Sequence, residues 1–353
     1  MLKTSFLDQI DQIGKEGFFK SALPFLLDKA FLDALEMNRG RGRNDYPIEL
    51  LWKGVLASVA CKVSSVEEMR RKMKERPEVF CKVPSSFAFS RFFTFLSRFS
   101  AEIEELFFRK MEPLHPEFGS VLAIAQFDQI HFLWEPQFGL PLLFLTQQPN
   151  DSPLKTAERL IERLWGLNEN FALRCKYLLG NTAYDGLIKL AWDRFKIRAV
   201  IPIQDLEKKG LHPYRDAHYD EQGMVYCHVN GQPREMIYAG FEKSRSALKY
   251  RCMARHYGVH CEKLTSCPLH SGIRIPISLD ERIFSPLPRN SHRWSQIFSL
   301  YETRDSMIDM LRSYQQIANN DEKKLLCCRI VSLLLLLTRG VKTLESKKSE
   351  MIF

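Results

Sequence analysis

A short apolar run at residues 177–179 ends at small and polar residues, and a helical pattern begins at Leu187. This order predicts a strand, a tight turn that contains Asn181, and a helix. Side chains at the carboxyl end of a strand in an α/β sheet commonly meet the substrate. Asn181 and the nearby Asp185 carry side-chain oxygens, so we expect a candidate site at this strand end.

Four cysteines lie between residues 206 and 290, a segment rich in hairpin-forming turns. They are Cys227, Cys252, Cys261 and Cys267. Four thiolates can bind a structural zinc ion tetrahedrally. None of the spacings is a close Cys-x-x-Cys pair, so the alternative of small buried side chains stays open.

The chain has 353 residues, of which 45% are hydrophobic and 26% are charged, as in ordinary globular proteins. Its 51 basic and 42 acidic residues give a net charge of +9, which favours a polyanionic partner such as nucleic acid. No apolar run approaches the roughly 20 residues that a membrane span needs. The first residues also lack the apolar core of a signal peptide. We therefore expect a cytoplasmic protein without membrane contact, whose nine cysteines are thiols or metal ligands.

Three helices are predicted between residues 46 and 99, from apolar positions at helical spacing and from a capping box at Ser64 and Glu67. The second and third helices carry basic residues: Arg70, Arg71, Lys74 and Arg91. Helices of this length joined by short turns suit a DNA-binding module whose basic side chains contact phosphates. The alternative is a helical bundle with a solvated basic face.

After Pro113 and Pro116 the pattern changes to apolar runs of strand length. Strands are predicted at 120–127, 130–134 and 140–145, followed by a helix, the strand at 177–179, a second helix and a strand at 198–203. This order predicts a mixed α/β fold. A chain of this length should hold two or three subdomains.

Four stretches resemble DDE transposases of the insertion-sequence type, two of them at Leu122–Ala125 and Tyr301–Ile308. The sequence from Leu179 to Gly186 is similar to the motif at the end of a catalytic strand in this family. The sequence from Ser86 to Phe92 is similar to a Ser/Thr-x-x-Arg-Phe stretch of the family's N-terminal helical domain. The resemblance spans nearly the whole chain and implies an RNase H-like core, an N-terminal helical domain and an inserted β segment. It also implies DNA transposition, in which Mg²⁺ supports the cleavage and joining of DNA ends.

The family places three acidic residues where this chain has Ala125, Asn181 and Ile308. Such acids hold the two divalent ions of the reaction, whereas Ala and Ile cannot coordinate a metal and Asn offers one neutral oxygen. The neighbouring residues Tyr301 and Arg304 match the family frame and are expected to hold a DNA phosphate. We therefore expect a catalytically inactive relative, a pseudoenzyme, that binds the double-stranded DNA of terminal inverted repeats. A homodimer of the chain is one assembly in which it can do so.

Two alternatives stay open. Asp128, Asp185 and Asp309 lie close in sequence to the three family positions and could rebuild a Mg²⁺ site for an active transposase or nuclease. An odd offset on a strand turns a side chain to the opposite face, and one step on a helix rotates it by about 100°, which argues against this substitution. The other alternative is a protein-interaction scaffold without a role in DNA binding.

Six segments are predicted along the chain. They are an N-terminal helical arm at 1–45, a helical DNA-binding-type domain at 46–115, the first part of the RNase H-like core at 116–205, an inserted β-rich segment at 206–290, the closing helices of the core at 291–340 and a charged tail at 341–353.

Overall fold

The computed structural model describes residues 25–40, 45–114, 119–203, 210–289 and 291–350, with side chains for all of these except 112–114, 170–172 and 338–350. The start of the predicted N-terminal arm and the end of the predicted tail lie outside the described residues. Within the described residues the protein has a mixed α/β fold with helices and three sheets.

Five described helices precede the first strand. They are α1 (Lys29–Asn38), α2 (Ile48–Ala60), α3 (Val66–Lys74), α4 (Ser86–Leu96) and α5 (Ser100–Leu114). The Ser65 hydroxyl caps α3 by accepting a hydrogen bond from the backbone N–H of Glu68. The Glu68 carboxylate in turn accepts from the backbone N–H of Ser64 at 2.9 Å. The capping interaction therefore lies one residue later than the predicted pair of Ser64 and Glu67.

A five-stranded sheet follows, with the strand order β3-β2-β1-β4-β5. Its strands are β1 (Val121–Phe127), β2 (Ile130–Glu135), β3 (Leu140–Thr146), β4 (Tyr177–Leu179) and β5 (Arg198–Val200). The first three strands form an antiparallel meander, whereas β4 is parallel to β1 and β5 is parallel to β4. The connecting helices are α6 (Pro153–Leu167), α7 (Glu169–Arg174) and α8 (Leu187–Phe195). The predicted strands are confirmed, except that β5 ends at Val200 and not at residue 203. The short α7 was not expected.

The segment from residue 210 to residue 289 contains two small sheets and a hydrophobic core of its own. The four-stranded sheet consists of β6 (His212–Tyr214), β7 (Ala217–Tyr219), β8 (Val225–Val229) and β9 (Gln232–Glu235). The three-stranded sheet consists of β10 (Ile237–Glu242), β11 (Ala247–Arg251) and β12 (Ile273–Pro276), with the short helix α9 (Met253–Tyr257) after β11. This inserted segment is therefore a β-rich unit, as the turn signals predict.

Three helices close the fold. They are α10 (His292–Phe298), α11 (Arg304–Ser313) and α12 (Asp321–Glu350), with a 3₁₀ turn at Ser299–Thr303 between the first two. The apolar part of α12 packs on β3 and α5, and one continuous hydrophobic core joins the N-terminal helices, the large sheet and the closing helices. No described helix, α12 included, has both the length and the hydropathy needed to cross a membrane.

A buried ionic cluster fixes these layers to one another. The Glu104 carboxylate of α5 accepts a hydrogen bond from Arg329 of α12 at 2.7 Å and another from Arg163 of α6 at 2.7 Å. Arg329 also donates to the carbonyl oxygen of Phe144 in β3 at 3.3 Å. The helical segment and the sheet are thus joined by charge as well as by apolar packing.

Candidate functional site

The carboxyl ends of β1 and β4 lie side by side, because the two strands are adjacent and parallel. Ala123 is paired with Leu179, so Ala125 and Asn181 stand at the same level two residues farther along. The Asn181 side chain accepts a hydrogen bond from the backbone N–H of Ala183 at 3.2 Å and thereby caps a 3₁₀ turn. The structure brings together two of the three predicted catalytic positions.

Tyr301 attaches the closing helices to this edge of the sheet. Its hydroxyl donates a hydrogen bond to the carbonyl oxygen of Ile124 at 2.8 Å, and the nearby backbone N–H of Asn181 acts to lower its pKa. Burial raises the pKa of Tyr301 to about 12, although the neighbouring Arg304 guanidinium acts in the opposite direction. The ring is buried and the hydroxyl is engaged by the sheet. Tyr301 therefore joins the closing helices to the end of β1, and the phosphate contact predicted for this residue stays a prediction.

Arg304 and Ile308 follow on α11. The Arg304 guanidinium lies 5.6 Å from the centre of the Tyr301 ring and pairs with Asp305 at 2.8 Å. Ile308 lies one helical turn beyond Arg304, with only 9% of its surface exposed. Ala125 is 1% exposed, so the first and third predicted positions present buried apolar side chains. This arrangement contains no oxygen cluster that could bind a pair of Mg²⁺ ions.

The neighbouring acids do not replace the missing ones. Asp128 lies in the β1–β2 turn, where its carboxylate pairs with Arg312 at 3.2 Å, and Asp185 pairs with Arg282 at 2.8 Å. Asp309 is exposed on α11. No three His, Cys, Asp or Glu residues in the described part of the chain are arranged so that they could hold a metal ion.

A buried hydrogen-bonded chain supports the turn that carries Asn181. The Nδ1 atom of His131 lies 2.9 Å from the Tyr184 hydroxyl, and its Nε2 atom lies 3.0 Å from Oε1 of Gln147. The Gln147 oxygen is an acceptor, so Nε2 carries the proton and Nδ1 accepts from Tyr184. Burial lowers the pKa of His131 and keeps the ring neutral. These hydrogen bonds were not predicted from the sequence, although a histidine within an apolar strand was a signal for them.

A basic surface lies on α3 and α4. Arg71, Lys74 and Arg91 are exposed there, and Arg91 stacks on the ring of Phe87 at 5.5 Å. Arg70 is different, because its Nε donates to the carbonyl oxygen of Pro84 at 3.0 Å and joins α3 to the start of α4. Three of the four predicted basic residues therefore project into solvent.

The four predicted cysteine ligands lie in the inserted segment, apart from these positions. They are Cys227, Cys252, Cys261 and Cys267, and all four line the same cavity.

Comparison with other proteins gives no relative: no family model, no curated protein and no solved structure matches this chain. Its function is therefore inferred from the contacts described above.

Proposed function

We propose that this chain is a transposase-like DNA-binding protein without Mg²⁺-dependent strand chemistry. The observation that carries the proposal is the edge formed by β1 and β4, where Ala125 and Asn181 stand level in a sheet with the strand order β3-β2-β1-β4-β5. An antiparallel meander followed by two parallel strands is the arrangement expected of an RNase H-like core. In such a core these two positions would hold the metal ligands.

The missing chemistry follows from the residue types at this edge. A two-metal reaction needs carboxylate oxygens that bridge the ions and leave room for substrate. Here Ala125 and Ile308 are buried and apolar, and the Asn181 oxygen is engaged by a backbone N–H. The same fold remains able to position DNA, because phosphate contacts depend on surface cations and not on the metal pair.

The DNA contact that we propose involves the exposed cations of α3 and α4. Arg71 and Lys74 lie on one helix, Arg91 lies on the next, and all three are exposed. The helices are fixed relative to each other by the Arg70 contact with Pro84. Preorganised cations of this kind bind the phosphates of double-stranded DNA, and the terminal inverted repeats of a mobile element are the proposed target. Pairing of two chains on two DNA ends stays a prediction.

The test measures binding of a fluorescently labelled DNA duplex by anisotropy over a series of salt concentrations. The double variant Arg71→Gln/Lys74→Gln removes two exposed cations, so we expect the slope of log K against log salt to fall by up to about 1.8, at roughly 0.9 per phosphate contact. The matched control is Lys243→Gln/Arg245→Gln, which removes an exposed lysine and arginine from the inserted segment. Equal slopes for both variants would place the DNA contact elsewhere. Absence of binding by the wild-type chain would favour the interaction-scaffold alternative.

A further inference from the structure

The inserted segment contains a cavity of about 270 Å³ that the proposed DNA contact does not use. Four cysteines line it, and we call it the four-cysteine cavity: Cys227, Cys252, Cys261 and Cys267. They come from three parts of the chain. Cys227 lies in β8, Cys252 directly precedes α9, and the other two lie in the connection between α9 and β12. A fold that gathers four thiols from separate elements suggests a common ligand.

Three of the four sulfur atoms, those of Cys227, Cys252 and Cys267, lie close enough for their charges to interact. Burial raises the pKa of the Cys227 thiol, and the neighbouring Cys252 and Cys267 raise it further. Arg234 has the opposite effect on the same thiol. Cys261 lines the same cavity from the connection that leads to Cys267. All four cysteines are free thiols, so no disulfide accounts for their proximity.

His228, which follows Cys227, also lines the cavity, but its ring is directed away from the Cys227 sulfur atom. Successive residues of a strand point to opposite faces, so Cys227 and His228 in β8 point in opposite directions. Cys227 is buried, whereas the His228 ring lies against the His218 ring, with 4.3 Å between the ring centres. The cavity lining therefore offers four sulfur atoms as zinc donors, and Asp216 is the acidic residue that lines the cavity beside them.

Two cations complement the charge that four thiolates would carry. Arg234 and Lys263 both line the cavity, and the Arg234 guanidinium is fixed by a hydrogen bond of 2.7 Å to the carbonyl oxygen of His260. A Zn²⁺ ion with four thiolates has a net charge of −2. These two side chains would offset the charge of such a complex and lower the free-energy cost of deprotonating the thiols, whereas Asp216 in the same lining would add a negative charge.

We propose that the four-cysteine cavity binds one structural Zn²⁺ ion. Zinc takes four thiolates tetrahedrally at about 2.3 Å. In the described part of the chain, no three metal-binding side chains are already placed so that they could hold an ion. The proposal therefore requires that the connection carrying Cys261 and Cys267 moves inward when the ion binds. The metal would join β8, α9 and the connection to β12, and so would stabilise a segment whose own hydrophobic core is small.

The test measures the metal content of the purified full chain by mass spectrometry after dialysis against a zinc buffer. We expect about one zinc per chain for the wild type and for Cys81→Ser, which changes an exposed cysteine outside the inserted segment. Cys261→Ser should lose the metal. Cys261→His should retain it, because one imidazole and three thiolates also form a zinc site.

Cobalt gives a second readout that does not depend on stability. Co²⁺ added to the metal-free wild-type chain should produce the intense absorption of thiolate-to-cobalt charge transfer and the visible bands of tetrahedral Co²⁺, and zinc should abolish both. A wild-type chain that binds no zinc and gives no thiolate band would overturn the proposal. An equal zinc content in the wild type and in Cys261→Ser would also overturn it. Neither measurement involves DNA, so the proposed function and the zinc site fail separately.

Discussion

The buried carboxylate of Glu104 should contribute more to stability than any exposed acid of the same helix. Glu104 is 1% exposed, and Arg329, one of its two arginine partners, is 6% exposed. In Glu104→Gln the side chain keeps its size but loses the negative charge, so the buried Arg329 guanidinium loses its counterion. The perturbation is thus electrostatic and changes the packing of α5 little.

The expected loss follows from the cost of an uncompensated buried charge. Removing one partner of a buried pair typically costs about 3–5 kcal/mol, and the remaining amide oxygen of Gln favours the lower end, about 3 kcal/mol. At roughly 2.1 cal/mol/K per residue, the 353 residues give an entropy of unfolding of about 0.7 kcal/mol/K. The melting temperature should therefore fall by about 4 °C. Glu105→Gln changes the exposed neighbour and should cost less than about 0.5 kcal/mol.

The assay is thermal and urea unfolding of both variants and of the double variant Glu104→Gln/Arg329→Met. The double variant removes both charges of the most buried pair, so it should recover part of the loss. Equal melting temperatures for Glu104→Gln and Glu105→Gln would refute the reasoning, because the buried pair would then contribute no more than a surface acid. A double variant that is less stable than Glu104→Gln alone would contradict the assigned role of Arg329.

Three further predictions concern the edge of the sheet. Tyr301→Phe should cost about 1–3 kcal/mol, since it leaves the buried carbonyl oxygen of Ile124 without the hydroxyl that it accepts from. Urea unfolding measures this loss, and an unchanged stability would contradict the assigned contact. The triple variant Ala125→Asp/Asn181→Asp/Ile308→Glu should release or absorb heat when it is titrated with Mg²⁺ or Mn²⁺, whereas the wild type should give no binding heat. Absence of binding heat in the variant would show that the three positions do not form one pocket. Folding lowers the pKa of His131 from its ordinary value of 6.5, so the unfolded chain takes up a proton before the folded chain does. The free energy of unfolding should therefore fall as the pH drops below about 6.5. His131→Gln should weaken this dependence between pH 7 and 5, and an identical pH profile would exclude His131 as its source.

Local sequence patterns predict much of the framework of the site. The strands at β1, β2 and β3 are apolar runs bounded by turn residues, and the buried part of α12 is a single apolar stretch. The level positions of Ala125 and Asn181 follow once β1 and β4 are taken as parallel neighbours. The strands and the apolar helix depend on residues that are close together in the chain, so periodicity is enough to find them. The pairing of β1 with β4 joins distant residues and was implied only by the family resemblance.

Contacts between distant residues could not be predicted in the same way. The Tyr301 hydroxyl binds a carbonyl 177 residues away, and nothing near Tyr301 in sequence distinguishes this contact from a bond to phosphate. The same limit applies to His131 and Tyr184, which are 53 residues apart. Arg70 has the residue type of a DNA contact, yet the backbone oxygen of Pro84 engages it. In each case the partner is set by tertiary packing and not by residue type.

The position of α12 has a consequence for biosynthesis. About 175 residues separate the end of β3 at Thr146 from the start of α12 at Asp321. At roughly 5–20 residues per second, a ribosome needs about 10–35 s to add them. During that interval the face of β3 that α12 later covers is exposed on the nascent polypeptide. Chaperones that recognise apolar surface should therefore bind this nascent polypeptide until α12 has left the ribosome, and any product that ends before Asp321 should be prone to aggregation and degradation.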